Sequence, residues 1–203
     1  MKGLIIKDLI NLKKQSKIIG ALAIFYLLIS ITSKNNSMFG AMILLLFTMM
    51  PITAISYDEK ANWDKYGLTM PVSRIDMVLS KYILGLILSV FAVILNFIAQ
   101  ILMGTEMNAE NITVIFVLFS ISIIFFSLIL PIMFKFGVEK GRMLMIVVLM
   151  LPTIILMLLP EILKTTPSEE MIIKALYALP FVIVIIFFIS IFISISVYKK
   201  KEF

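Results

Sequence analysis

The sequence predicts an all-α, polytopic membrane protein with six transmembrane helices, an N-terminal amphipathic interfacial helix and a cytoplasmic coupling helix. Three observations predict the membrane architecture. Hydrophobic residues make up 62% of the 203 positions and charged residues 15%, against about 45–50% and about 25% in soluble domains. The charges collect between six apolar runs, 18–33, 38–57, 82–103, 113–134, 143–160 and 176–198, none of which contains a charged side chain. Lysine and arginine also favour alternate connections, the asymmetry that sets orientation.

Residues 1–17, MKGLIIKDLINLKKQSK, are too charged to span. At helical spacing Ile5, Leu9 and Leu12 share a face with Ile6 and Ile10 nearby, while Lys7, Asn11 and Lys14 lie opposite and Lys2, Lys13 and Lys17 edge the apolar side. That pattern predicts a helix lying in the interface with its lysines among the headgroups; a frayed basic leader is the alternative.

A helix needs about 20 residues to cross the hydrocarbon, so the first run, at 16, depends on Lys17 and Lys34 to extend it. Its basic leader, and the polar turn Ser33 to Ser37 leading straight into the next run, argue against a cleaved signal. Residues 18–57 therefore read as a helical hairpin with an external turn. With both termini cytoplasmic, only Lys34, Lys164 and Lys174 of the 18 basic residues fall outside. The whole of 1–203 reads as one membrane domain. The net charge of +6 flanks apolar runs, which points to membrane lipid and not to nucleic acid.

The connection from Asp58 to Lys81 carries the most information. It holds the single tryptophan, Trp63, and mixed charge from Asp58, Lys60, Asp64 and Lys65. Glu59, Trp63 and Tyr66 are expected to line one face of a short helix that Gly67 and Pro71 end. Ser73 followed by Asp76 resembles a capping box, so a new helix is expected to start there and run into the third span. An ordinary solvated loop with an interfacial tryptophan is the competing reading.

Here the sequence resembles the ATP-binding cassette type-2 exporter permeases, in particular the small six-span bacterial subunits. The resemblance rests on the opening MKGLIIKDLINLKKQ, on YDEKANWDKYGLTMPVSRIDMVLSKYILG and on the six-span layout. It implies that Asp58 to Tyr66, with Pro71, Ser73 and Arg74, contact a separate nucleotide-binding subunit that binds ATP and Mg. Residues 1–17 would be the interfacial helix beside that contact. It also implies a second permease chain, identical or related, and a bacterial plasma membrane. Glu161 to Lys174 would belong to the extracellular part, too short here for a large cap.

Chemistry by exclusion agrees that this chain is not itself an enzyme. The chain has no histidine and no cysteine, which removes imidazole or thiolate metal sites and histidine-assisted nucleophiles. No G-x-x-x-x-G-K-[ST] loop occurs; VEKGRM lacks it. The apolar runs hold no aspartyl dyad and no ionisable relay, so pumping requires energy from another chain. Their polar residues are few: Asn96 and Gln100 one turn apart, Ser120, Ser122 and Ser127, and Ser190, Ser194 and Ser196. These read as interhelical hydrogen-bonding groups or as contacts lining a pathway. Export of an amphipathic or hydrophobic peptide or lipid-like substrate leads; a non-transporting anchor, assembly or immunity factor is the alternative.

Overall fold

The computed structural model describes residues 1–33, 36–105, 108–163 and 169–201, with backbone alone at 36, 151–163 and 169–175. Eight helices occupy them: α1 Lys2–Lys13, α2 Ser16–Ser33, α3 Asn36–Thr48, α4 Met50–Lys60, α5 Trp63–Gly67, α6 Arg74–Leu102, α7 Ala109–Leu163 and α8 Glu169–Lys199. No strand occurs among the described residues. Helices are what hydrocarbon permits, because each satisfies its own backbone polar groups.

Among the described residues five segments are long and apolar enough to cross a membrane: Ser16–Ser33, Ser37–Lys60, Arg74–Leu102, Ala109–Met150 and Leu176–Lys199. The expected fourth and fifth runs, 113–134 and 143–160, both lie within Ala109–Leu163, on either side of Gly137, and residues from 151 onward have no described side chains. Yet α7 is not straight. Gly137 has φ 78° and ψ 175°, a conformation essentially restricted to glycine. A Cβ on Gly141 would lie 3.5 Å from the Met133 Cα, whereas eight residues of continuous helix cover about 12 Å. Leu149 likewise lines the same groove as Leu118 and Phe125. The chain therefore doubles back at Gly137.

Two apolar clusters hold the bundle together. One joins Leu4, Ile55, Met77, Phe126, Leu130 and Tyr198 from α1, α4, α6, α7 and α8. The other joins Leu12, Phe39, Leu44, Ala54, Leu84 and Ala92 from α1, α3, α4 and α6. Tyr82, Phe126 and Phe187 meet edge to face, with centroids 5.6–6.4 Å apart, the arrangement favoured by ring quadrupoles. By contrast only Ser30 of α2 is buried.

Helix α1 buries a stripe that its apolar spacing does not single out. Its buried stripe is Leu4, Asp8 and Leu12, whereas Ile6, Leu9 and Ile10 are exposed. A buried carboxylate and its partner Lys7 take the inward position because they find ionic partners there. The outward apolar side chains are left for an apolar surrounding.

The expected single helix over 58–66 is also divided. α4 runs on through Asp58 to Lys60, then Asn62 turns the chain in the left-handed region (φ 49°) before α5. Within α5 Trp63 is half-buried and Tyr66 exposed, and Glu59 lies on the other side of the break. The capping box before α6 forms as expected: the Asp76 amide donates to Ser73 Oγ at 3.0 Å and the Ser73 amide to Asp76 Oδ2 at 3.2 Å. The expected turn centred on 34–35 and most of the connection from Glu161 to Lys174 lie outside the described side chains.

Candidate functional site

At one end of the bundle α1, the end of α4, α5, the start of α6, the Gly137 turn and the end of α8 converge. Four alternating charges form the centre. Asp58 accepts from Lys7 Nζ and from Lys81 Nζ, each at 2.5 Å. Lys81 Nζ also reaches Asp8 Oδ2 at 2.7 Å, and Lys7 Nζ lies 3.2 Å from Asp8 Oδ1. The side chains of Asp8 and Lys81 retain only 1% and 7% of their exposure. Such burial is tolerable because each ion has opposite charges on both sides.

The apolar runs of the sequence stop one residue short of these charges. Asp58 follows the second run and Lys81 precedes the third, yet the helices continue through both. The charge-free runs thus understate the helices: each carries one buried ion near its end, neutralised by the other.

The remaining charges of the segment after Asp58 are fastened separately. Glu59 Oε2 accepts the Val138 amide at 2.7 Å, capping the helix that leaves the Gly137 turn. A Cβ on Gly137 would come within 2.8 Å of Glu59 Oε1, so the missing side chain makes room for the carboxylate. Asp64 Oδ1 accepts the Tyr198 hydroxyl at 2.8 Å. Arg74 Nη1 donates to the carbonyls of Lys199 at 2.5 Å, Lys201 at 3.2 Å and Tyr198 at 3.5 Å, closing the C-terminal end of α8. The Trp63 ring lies under Lys7, with Nζ 4.3 Å from a ring centroid. Gln15 Nε2 donates to the Tyr57 hydroxyl at 3.0 Å, a second tie from the α1–α2 turn to α4.

Of the residues singled out in the sequence, Asp58, Glu59, Trp63, Asp64 and Arg74 are thus engaged within the chain, while Lys60, Lys65, Tyr66, Pro71 and Ser73 lie exposed. Sequence reasoning missed Asp8, Lys81 and Tyr198 and did not see what Lys7 pairs with. Asp8 had a signal: it is the lone acid among five lysines in residues 1–17.

A second polar constellation sits deeper. The Tyr82 hydroxyl meets Ser190 Oγ at 2.5 Å and Ser194 Oγ at 2.7 Å. Ser190 Oγ donates to the Ser127 carbonyl. That carbonyl lacks its own helical donor because position 131 is proline. One tyrosine and two serines therefore tie α6, α7 and α8 together. The other polar residues behave differently. Ser120 and Ser122 bond carbonyls of their own helix, and Ser196 is exposed. Asn96 lies against Gly40 of α3; its Oδ1 and Gln100 Oε1 are buried without a hydrogen-bond partner among the described residues.

None of these groups forms a nucleophile–base pair. Ions and caps at helix ends instead tie 58–66 to α1, α6, the Gly137 turn and α8. Fold and site together define a multi-pass membrane protein with an interlocked cluster of buried charges at one end. The chain belongs to the ABC-2 family of transporter proteins, whose family model matches residues 3–199, and is a permease component, not the ATPase. Comparison with curated proteins and with solved structures gave no match.

Proposed function

We propose that this chain is the transmembrane permease subunit of an ATP-driven exporter in a bacterial plasma membrane. Residues 1–203 act as one permease domain, with six crossings, both termini in the cytoplasm and the charged joint on the cytoplasmic side. The reversal at Gly137 supports the sixth crossing, since it divides Ala109–Met150 into two antiparallel halves. The partner nucleotide-binding subunit binds ATP and Mg, and a second permease chain completes the pathway. The cargo is an amphipathic or hydrophobic peptide or lipid-like compound, in keeping with apolar grooves such as that between Val93, Phe97, Phe116 and Phe119.

One observation carries this reading. The carboxylates of Asp58, Glu59 and Asp64 are gripped by three different parts of the bundle. A push delivered to α5 by closure of the ATPase therefore reaches nearly every helix without passing through a flexible loop. Repacking by alternating access or lateral release follows from that common displacement.

The test is co-purification of the chain with a cassette ATPase from its native membrane, followed by reconstitution of the pair. ATP hydrolysis should depend on the permease and should lose that dependence in the variant with alanine at Trp63, Asp64 and Arg74, which stays in the membrane. Hydrolysis indifferent to the permease would leave the non-transporting anchor in place of the exporter.

A further inference from the structure

The charges of residues 58–66 are sorted by direction. The carboxylates of all three acids bond other helices of the same chain, Glu59 from an exposed position. Lys60, Lys65 and Tyr66 face away, and none has a partner among the described residues. Tyr66 keeps 63% of its exposure and Met70 keeps 49%, with Pro71 exposed beside it. The Gly137 turn, tied to this segment by Glu59, adds exposed Lys135 and Lys140 against exposed Glu139. The outward surface is therefore an aromatic and thioether centre flanked by cations.

Lipid does not account for the centre of that surface. Tyr66 and Met70 are separated in sequence from the apolar runs by the charged end of α4, Asp58–Lys60, on one side and by Ser73–Asp76 on the other. Headgroup-directed lysines are already supplied by α1, where exposed Lys2, Lys13 and Lys14 accompany exposed Ile6, Leu9 and Ile10.

From this sorting we propose that the docking cleft of the nucleotide-binding subunit has an acidic rim and an apolar floor. Its carboxylates lie opposite Lys60 and Lys65, and a pocket receives the Tyr66 ring. The inference rests on reading 58–66 as the ATPase contact and adds the chemistry of the partner. Aromatic anchors in desolvated pockets carry most of the affinity of such contacts, while rim charges govern rate and salt dependence.

The experiment titrates the purified nucleotide-binding subunit, identified by co-purification with the chain, onto the full chain in phosphatidylcholine nanodiscs over a range of salt. Wild-type affinity should fall with salt. The double variant Lys60→Glu/Lys65→Glu should bind roughly tenfold more weakly or worse and lose that salt dependence. Lys60→Arg/Lys65→Arg should bind like wild type. Tyr66→Ala should weaken binding while keeping the salt slope. Emission from Trp63 reports whether each variant keeps the inner joint intact. Equal binding by the Lys60→Glu/Lys65→Glu variant would overturn the acidic rim and leave the exporter reading standing. So would a lysine effect seen only as lost adhesion to phosphatidylglycerol vesicles, which would make these side chains headgroup anchors. Absence of wild-type binding at every salt concentration would remove the exporter reading itself.

Discussion

Without the Lys81 ammonium, Asp8 and Asp58 would share the single cation Lys7 in a nearly dry setting. Lys81→Met should cost about 3–5 kcal/mol, the usual result of stranding a buried ion. Adding Asp58→Asn should cost less than the sum of the two single changes, a coupling that thermal unfolding in detergent would register. Full additivity would mean that the two ions do not interact. The hydroxyl constellation makes a second prediction at this scale. Ser190→Ala leaves the Ser127 carbonyl without a donor, a loss of about 1–3 kcal/mol. Pro131→Ala restores the helical N–H to that same carbonyl, so Ser190→Ala should cost less in its presence. An unchanged cost in the Pro131→Ala background would show that Ser190 acts through Tyr82 alone.

Among the elements, the Gly137 turn and α5 are the most exacting. Gly137→Ala forces a side chain into backbone geometry reserved for glycine and into the space of Glu59, at about 1–3 kcal/mol from the backbone alone. Its first symptom should be faster amide exchange at Val138, whose N–H loses the carboxylate. For α5, Tyr198→Phe removes the hydrogen bond from the α8 hydroxyl to Asp64. Quenching of Trp63 by acrylamide should rise as the short helix loosens, and unchanged quenching would mean that packing alone fixes it. How legible these elements were follows from range. The capping box at Ser73 and Asp76 was readable because both partners sit within one turn. The long apolar helices were readable from composition. The inward turn of Asp8 was not, because its second cation is Lys81, 73 residues away in sequence. Nor was the division of 58–66, since α4 extends past the apolar boundary to bring Asp58 to two lysines from other helices.

For the whole molecule, the absence of cysteine makes orientation directly measurable. A single cysteine at Ser37 should react with an impermeant maleimide in intact cells, whereas one at Lys60 should react only after permeabilisation. The reverse pattern would put the joint on the outer side and end the argument for a soluble motor. A reporter fused after Phe203 should likewise stay inside. One property of the joint reaches beyond its mechanics. Lys7, Asp8, Asp58 and Lys81 sum to no net charge. Carrying one elementary charge through the full field of 100 mV takes about 2.3 kcal/mol, but translating this quartet as a unit involves no electrical work. A transporter hinged on such a joint should cycle at the same rate in a depolarised cell as in a fully energised one.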